Sequence, residues 1–111
     1  MKDFTLKISG SITIGNDILI HQKVREVLED GVDLIVFDMS GVTYMDSSAV
    51  GELVACYTSC KNREVPLALV ALPAKIRKLM QTMCFLDIFD TFDTMDDARQ
   101  IMCRRHEKKK G

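Results

Sequence analysis

Apolar and polar positions along the chain fall into stretches of two periods. Phe4, Leu6 and Ile8 alternate with Thr5, Lys7 and Ser9, the pattern of a strand with one covered face. Gly10 follows, then the short stretch Ser11-Ile12-Thr13-Ile14, closed by Gly15-Asn16. From Asp17 the period lengthens: Ile20, Val24, Val27 and Leu28 fall on one helical stripe, and Lys23, Arg25, Glu26 and Glu29 face away from it. Asn16 is placed to cap that helix and Gly31 to end it. Leu34-Ile35-Val36-Phe37 is apolar without interruption, as a strand covered on both faces requires. Residues 38–46 read as a polar loop around Val42, Tyr44 and Met45. A second helix opens at Ser47 or Ser48, buries Val50, Leu53, Val54 and Tyr57, and ends near Asn62.

Pro66 introduces another apolar strand, residues 67–72, and Pro73 suits the first turn of a helix reaching Met83, with Ile76, Leu79, Met80 and Met83 on its buried face. Leu86, Ile88 and Phe89 read as a short last strand. Thr94 can cap a final helix anchored by Ala98, Ile101 and Met102, which leads into a basic end from Arg104 to Lys110. Strand and helix therefore alternate four times. The class is α/β: a single domain with a four-stranded, mostly parallel or mixed sheet and about four helices packed mainly on one face. The first strand alternates and the second does not, which puts the first nearer an edge. Residues 1–106 form this domain and 107–111 a disordered basic tail.

Composition narrows what such a domain does. With 47% hydrophobic residues in 111, there is material for one core and no length for a second. Fifteen basic residues against 16 acidic ones give no positive excess, and with 6% aromatics and no Trp there is no stacking platform, so direct DNA or RNA binding is not expected. No signal peptide is visible at the start, and the longest apolar stretch, residues 67–72, is far too short to span a bilayer. Cys56, Cys60, Cys84 and Cys103 form no CxxC pair and are not spaced with His21 and His106 as zinc ligands. They read as reduced packing residues of a cytoplasmic protein. No cofactor, metal or catalytic residue is expected: Ser47 has no evident base, and neither a nucleophile elbow nor a phosphate-binding loop is present.

The informative stretch lies at the end of the second strand. Asp38-Met39-Ser40-Gly41-Val42-Thr43-Tyr44-Met45-Asp46-Ser47-Ser48-Ala49-Val50-Gly51 begins at the carboxyl end of that strand and finishes inside a helix N-terminus, where open α/β sheets meet their ligands and partners. Taken alone, two hydroxyls there are ordinary helix-capping residues. Asp46-Ser47-Ser48-Ala49-Val50-Gly51, preceded by Tyr44-Met45, nevertheless resembles the phosphorylation loop of the STAS domain, the family of sulphate transporters and anti-sigma factor antagonists, which usually shows Met-Asp-Ser-Ser-Gly-Leu-Gly. Gly10-Ser11-Ile12-Thr13 is similar to that family's Gly-Glu-Leu-Asp turn, and the resemblance extends from about Phe4 to Ile101. Three positions depart from the pattern. Ala49 stands for the usual Gly, Thr13 stands for the usual Asp, and the family's extra N-terminal edge strand is not seen, which leaves a shorter sheet or an edge in need of cover.

The resemblance implies an anti-sigma factor antagonist. Its unphosphorylated form would hold an anti-sigma factor that is also a serine kinase, phosphorylation of Ser47 (Ser48 as runner-up) would release it, and a serine phosphatase would reset the switch. Partner-binding residues carried over or drawn from the same rim are Thr13, Asp38, Asp46, Ser48, Gly51 and Glu52. Weak homodimerisation is left open. The alternative is a non-switching STAS module acting as a scaffold or lipid-transport accessory subunit, since fold alone does not separate these uses.

Overall fold

The apolar run at Leu34 becomes the middle of the molecule. The computed structural model describes residues 2–12 and 14–101. In it β1 (Asp3–Ile12), β2 (Leu34–Met45), β3 (Leu67–Val70) and β4 (Asp90–Phe92) form one sheet in the order β1-β2-β3-β4. All three pairings are parallel. Between the strands lie α1 (Ile14–Glu29), α2 (Ser47–Asn62) and α3 (Ala74–Thr82), and α4 (residues 95–101) follows β4.

Strand alternation distributes the core. Ile35, Phe37 and Met39 of β2 and Leu67 and Leu69 of β3 meet Val24 and Leu28 of α1, Val50, Leu53, Cys56 and Cys60 of α2, and Ile76 and Met80 of α3. Leu34 and Val36 with Ala68 and Val70 point to the opposite face, where Ala98 of α4 covers them. Three helices thus share one face and one takes the other. β1 lies at the edge, as its alternation requires, with Thr5, Lys7 and Ser9 exposed. Both interior strands are covered twice, which is why they read as unbroken apolar runs.

Four expectations are corrected. Residues 38–46 are not a loop: β2 continues to Met45, paired with β1 throughout. Met39, Val42 and Met45 are all buried, yet they recur every three residues, a spacing that a regular strand cannot bring to one face. Two register shifts resolve this: Lys7 to Ser9 opposes Asp38 to Gly41, and Gly10 to Ser11 opposes Val42 to Tyr44. Each puts one extra residue on β2, as a bulge does. Gly41 permits the first, for a Cβ there would stand 2.8 Å from the Ser9 Cβ.

The last strand is also displaced. Leu86–Ile88 is a single 3-10 turn, Phe89 is buried edge-on against Tyr57 with ring centroids 5.6 Å apart, and the pairing strand is the polar Asp90–Phe92. The first helix starts at Ile14, so Asn16 lies inside it and is not its cap. Of the cysteines, Cys56 and Cys60 are buried as expected, but Cys84 is exposed, and Cys103 lies outside the described residues. Burial alone pushes the Cys60 thiol up to about 12. Gly31, at φ +84°, ends α1 by adopting the left-handed conformation that glycine accepts without strain. Thr94 Oγ1 accepts from the Asp97 N–H at 3.1 Å and caps α4.

Candidate functional site

The junction between β2 and α2 is built by one carboxylate. Asp46 leaves the strand with φ −95° and ψ 178°, and its side chain accepts the Ala49 N–H at 2.8 Å. Its carbonyl receives the Val50 N–H at 3.2 Å. Asp46 is therefore the N-cap, and Ser47 and Ser48 are the first two residues of the helix. Both serines are exposed, and among the described residues neither hydroxyl is engaged in a hydrogen bond. Ala49, in place of glycine, turns its methyl into the core, 1% exposed beside Val50 and Leu53. The substitution thus anchors the first turn from below and leaves its outer surface to the serines.

Gly51 lies one turn along the exposed side, and a Cβ there would meet nothing within 4 Å. Glu52 is half-buried, with its Oε2 3.6 Å from His21 Nδ1 on α1. His21 Nε2 in turn lies 3.0 Å from Ser59 Oγ. The trio has the residue types of an acyl-transfer triad. Ser59 is in the last turn of α2, however, where the neighbouring backbone N–H groups belong to the helix ladder and none is turned toward a developing oxyanion. Its arrangement ties α1 to α2, and it places the histidine beside Ser59, not beside Ser47.

Asp38 does not join the site. It shares the face of Leu34 and Val36, opposite to α2, and its strand partner Lys7 is separated from Ile12, the partner of Met45, by about 16 Å of strand at about 3.3 Å per residue. Its carboxylate accepts the Ser40 N–H at 3.0 Å, and this bond, with a further one to the Ser40 side chain and the nearby Lys7 charge, outweighs desolvation and holds the carboxyl below the usual range. The structure thus brings together Asp46, Ser47, Ser48 and Gly51, with Glu52 at their margin. Thr13 lies outside the described residues, as does the basic end beyond residue 101.

One element of the site had no sequence signal. An open groove of about 610 Å³ runs between the β2–α2 junction and α3, and Ser47 is on its wall. Tyr44, half exposed, lines it with Leu79 and Met83, and Lys75 and Lys78 stand along its α3 side. Among the described residues neither lysine has an ion-pair partner. The α3 periodicity put Leu79 and Met83 on the helix's apolar face, but both are only half-buried and line the groove. Among the described residues no group of three His, Cys, Asp or Glu could hold a metal ion, and no helix is long and apolar enough to cross a membrane.

Comparison with known proteins agrees with this fold. An anti-sigma factor antagonist from Mycobacterium paratuberculosis superposes with a TM-score of 0.77 at 21% identity, covering 90% of this chain and 85% of that one. The anti-sigma factor antagonist SpoIIAA of Bacillus, in its unphosphorylated form, gives 0.76 at 15% identity over 90% and 88% of the two chains. A sulfate transporter family protein from Wolinella succinogenes gives 0.78 at 18% identity over 95% and 88%. No curated protein matches the chain. The family description "STAS domain" matches residues 2–98. That match takes in every strand of the sheet and the first turn of α4, and the chain belongs to the STAS domain family.

Proposed function

We propose that this STAS domain is an anti-sigma factor antagonist whose grip on an anti-sigma factor with serine kinase activity is released by phosphorylation of Ser47. The observation that carries the reading is the division of labour at the junction. Asp46 does the capping, so the Ser47 hydroxyl is exposed and free of any structural hydrogen bond among the described residues. The likeness to SpoIIAA, solved in unphosphorylated and phosphorylated forms, supports it. A serine phosphatase would complete the cycle, in the cytoplasm.

The fold can carry the modification at little cost. A phosphoryl group brings about −1.5 to −2 charges. At the start of α2 the helix dipole favours it by roughly 0.3–1 kcal/mol, and the neighbouring Asp46 carboxylate opposes it by a similar order. Asp38, on the other face, takes no part. The decisive penalty falls at the interface, where a doubly charged group must be desolvated against partner atoms that do not match it.

The test is to incubate the wild type, Ser47→Ala and Ser48→Ala with ATP and an anti-sigma factor of the serine kinase type from the same organism, and to locate phosphate by peptide mass spectrometry. Ser47→Ala is expected to stay unmodified and still bind the kinase. Ser47→Asp is expected to lose about 2–5 kcal/mol of binding, as an unpaired interfacial charge does. Phosphate on Ser48 alone would move the switch by one residue. No phosphate on any variant would favour the second reading, a constitutive scaffold or transport accessory module. That reading has its own support in the likeness to the sulfate transporter family protein.

A further inference from the structure

The groove beside Ser47 has a chemistry of its own. Its floor is apolar, with Met45 and Ile76 buried and Leu79 and Met83 half-buried, and Tyr44 stands 50% exposed at its edge, the more exposed of two large apolar side chains open to solvent among the described residues. Its α3 side carries Lys75 and Lys78, both exposed and without an acidic partner among the described residues. The one carboxylate lining the groove among the described residues, Asp46, is already engaged with the Ala49 N–H.

We infer that this groove docks a segment of the partner protein that presents an apolar face flanked by carboxylates, the carboxylates pairing with Lys75 and Lys78. Charge complementarity selects this occupant: two uncompensated ammonium groups above an apolar floor favour an acidic amphipathic segment and disfavour a basic one. The inference deepens the proposed switch and rests on it in one respect, the meaning of phosphorylation. A phosphoryl group on Ser47 would enter the same groove, repel the partner's carboxylates and compete for the same two lysines. Release then follows from the filling of an acid-binding site by an acid that belongs to the domain itself.

The groove is tested without the kinase. The probe is a synthetic amphipathic peptide with leucines along one helical face and glutamates flanking them, compared with a twin carrying glutamines in their place. Saturable amide shifts are expected around Tyr44, Ser47, Leu79 and Met83, with the glutamate peptide binding about tenfold more tightly than its twin at low salt. Lys75→Glu combined with Lys78→Glu is expected to remove that preference, and Lys61→Glu, in the last turn of α2, to keep it. Lys75 is in the first turn of α3, where a glutamate suits the helix dipole, and Lys78 is exposed at mid-helix, so the double variant should fold as the wild type does. Equal affinity for the two peptides, shifts centred elsewhere, or no saturable binding would each overturn the inference. Peptide binding as expected, with Ser47 never phosphorylated, would leave the groove standing and remove the switch. Phosphorylation without peptide binding would do the reverse.

Discussion

Asp46 determines how much freedom Ser47 has. Had Ser47 been the cap, its hydroxyl would be tied to the backbone, and any modification would trade a structural bond for a charge. Because the Asp46 carboxylate holds the Ala49 N–H, capping falls to Asp46 and the Ser47 hydroxyl is left untied. Asp46→Ala is therefore expected to cost about 0.5–2 kcal/mol of folding stability, read from urea unfolding, with Asp46→Asn recovering most of it and Ser47→Ala costing little. A loss with Ser47→Ala as large as with Asp46→Ala would show that the serine shares the capping. At this scale the sequence was informative but ambiguous: it located the helix start within one residue, and it could not choose among three good capping residues in a row. The His21 contacts had no signal at all. His21 meets Glu52 and Ser59 across 31 and 38 positions of chain, a pairing set by the packing of α1 on α2.

Among the elements, the β1–β2 pair shows best what periodicity reveals and what it hides. Regular alternation identified β1, and an apolar run identified the first half of β2. The second half was hidden because each bulge stretches the apolar spacing from two residues to three, and a strand of that spacing has no recognisable period. β4 was missed for the opposite reason. Leu86 and Ile88 imitate alternation within a 3-10 turn, while the true strand reads Asp-Thr-Phe and owes its place to pairing with Ala68–Val70 at an edge. The bulge at Gly41 carries its own prediction. An added methyl group there would stand 2.8 Å from the Ser9 Cβ, closer than packed carbons approach, so one strand must move. Gly41→Ala is expected to destabilise the domain by about 1–3 kcal/mol, with Ser9→Gly in the same chain relieving part of it. Full wild-type stability of Gly41→Ala in thermal unfolding would mean that the strands can separate there at no cost.

At the scale of the molecule, three helices cover one face of the sheet and, among the described residues, α4 alone covers the other, so the second face depends on very few residues. Leu34, Val36, Ala68 and Val70 are all but inaccessible, and Ala98 is the fully buried residue of α4 that seals them. The ion pair between Arg99 and Asp3, 3.2 Å long and about half exposed, fastens the same helix to the edge strand but adds little stability in water. Ala98→Asp is expected to lower stability by more than about 3 kcal/mol, since an unpaired carboxylate would be forced into an apolar seam. Gln100→Asp, exposed on the same helix, should change it by less than about 0.5 kcal/mol, and similar melting temperatures for the two would mean that α4 is not the cover. The order of the strands in the sheet has a consequence for how the chain reaches this state. Each strand pairs with the one that came before it, β1 with β2, β2 with β3 and β3 with β4. No strand has to be inserted between two that have already met. A chain emerging from the ribosome can therefore lay down the sheet from one side to the other, every new strand finding a ready edge, and the search that slows parallel sheets of shuffled order is divided into three short steps.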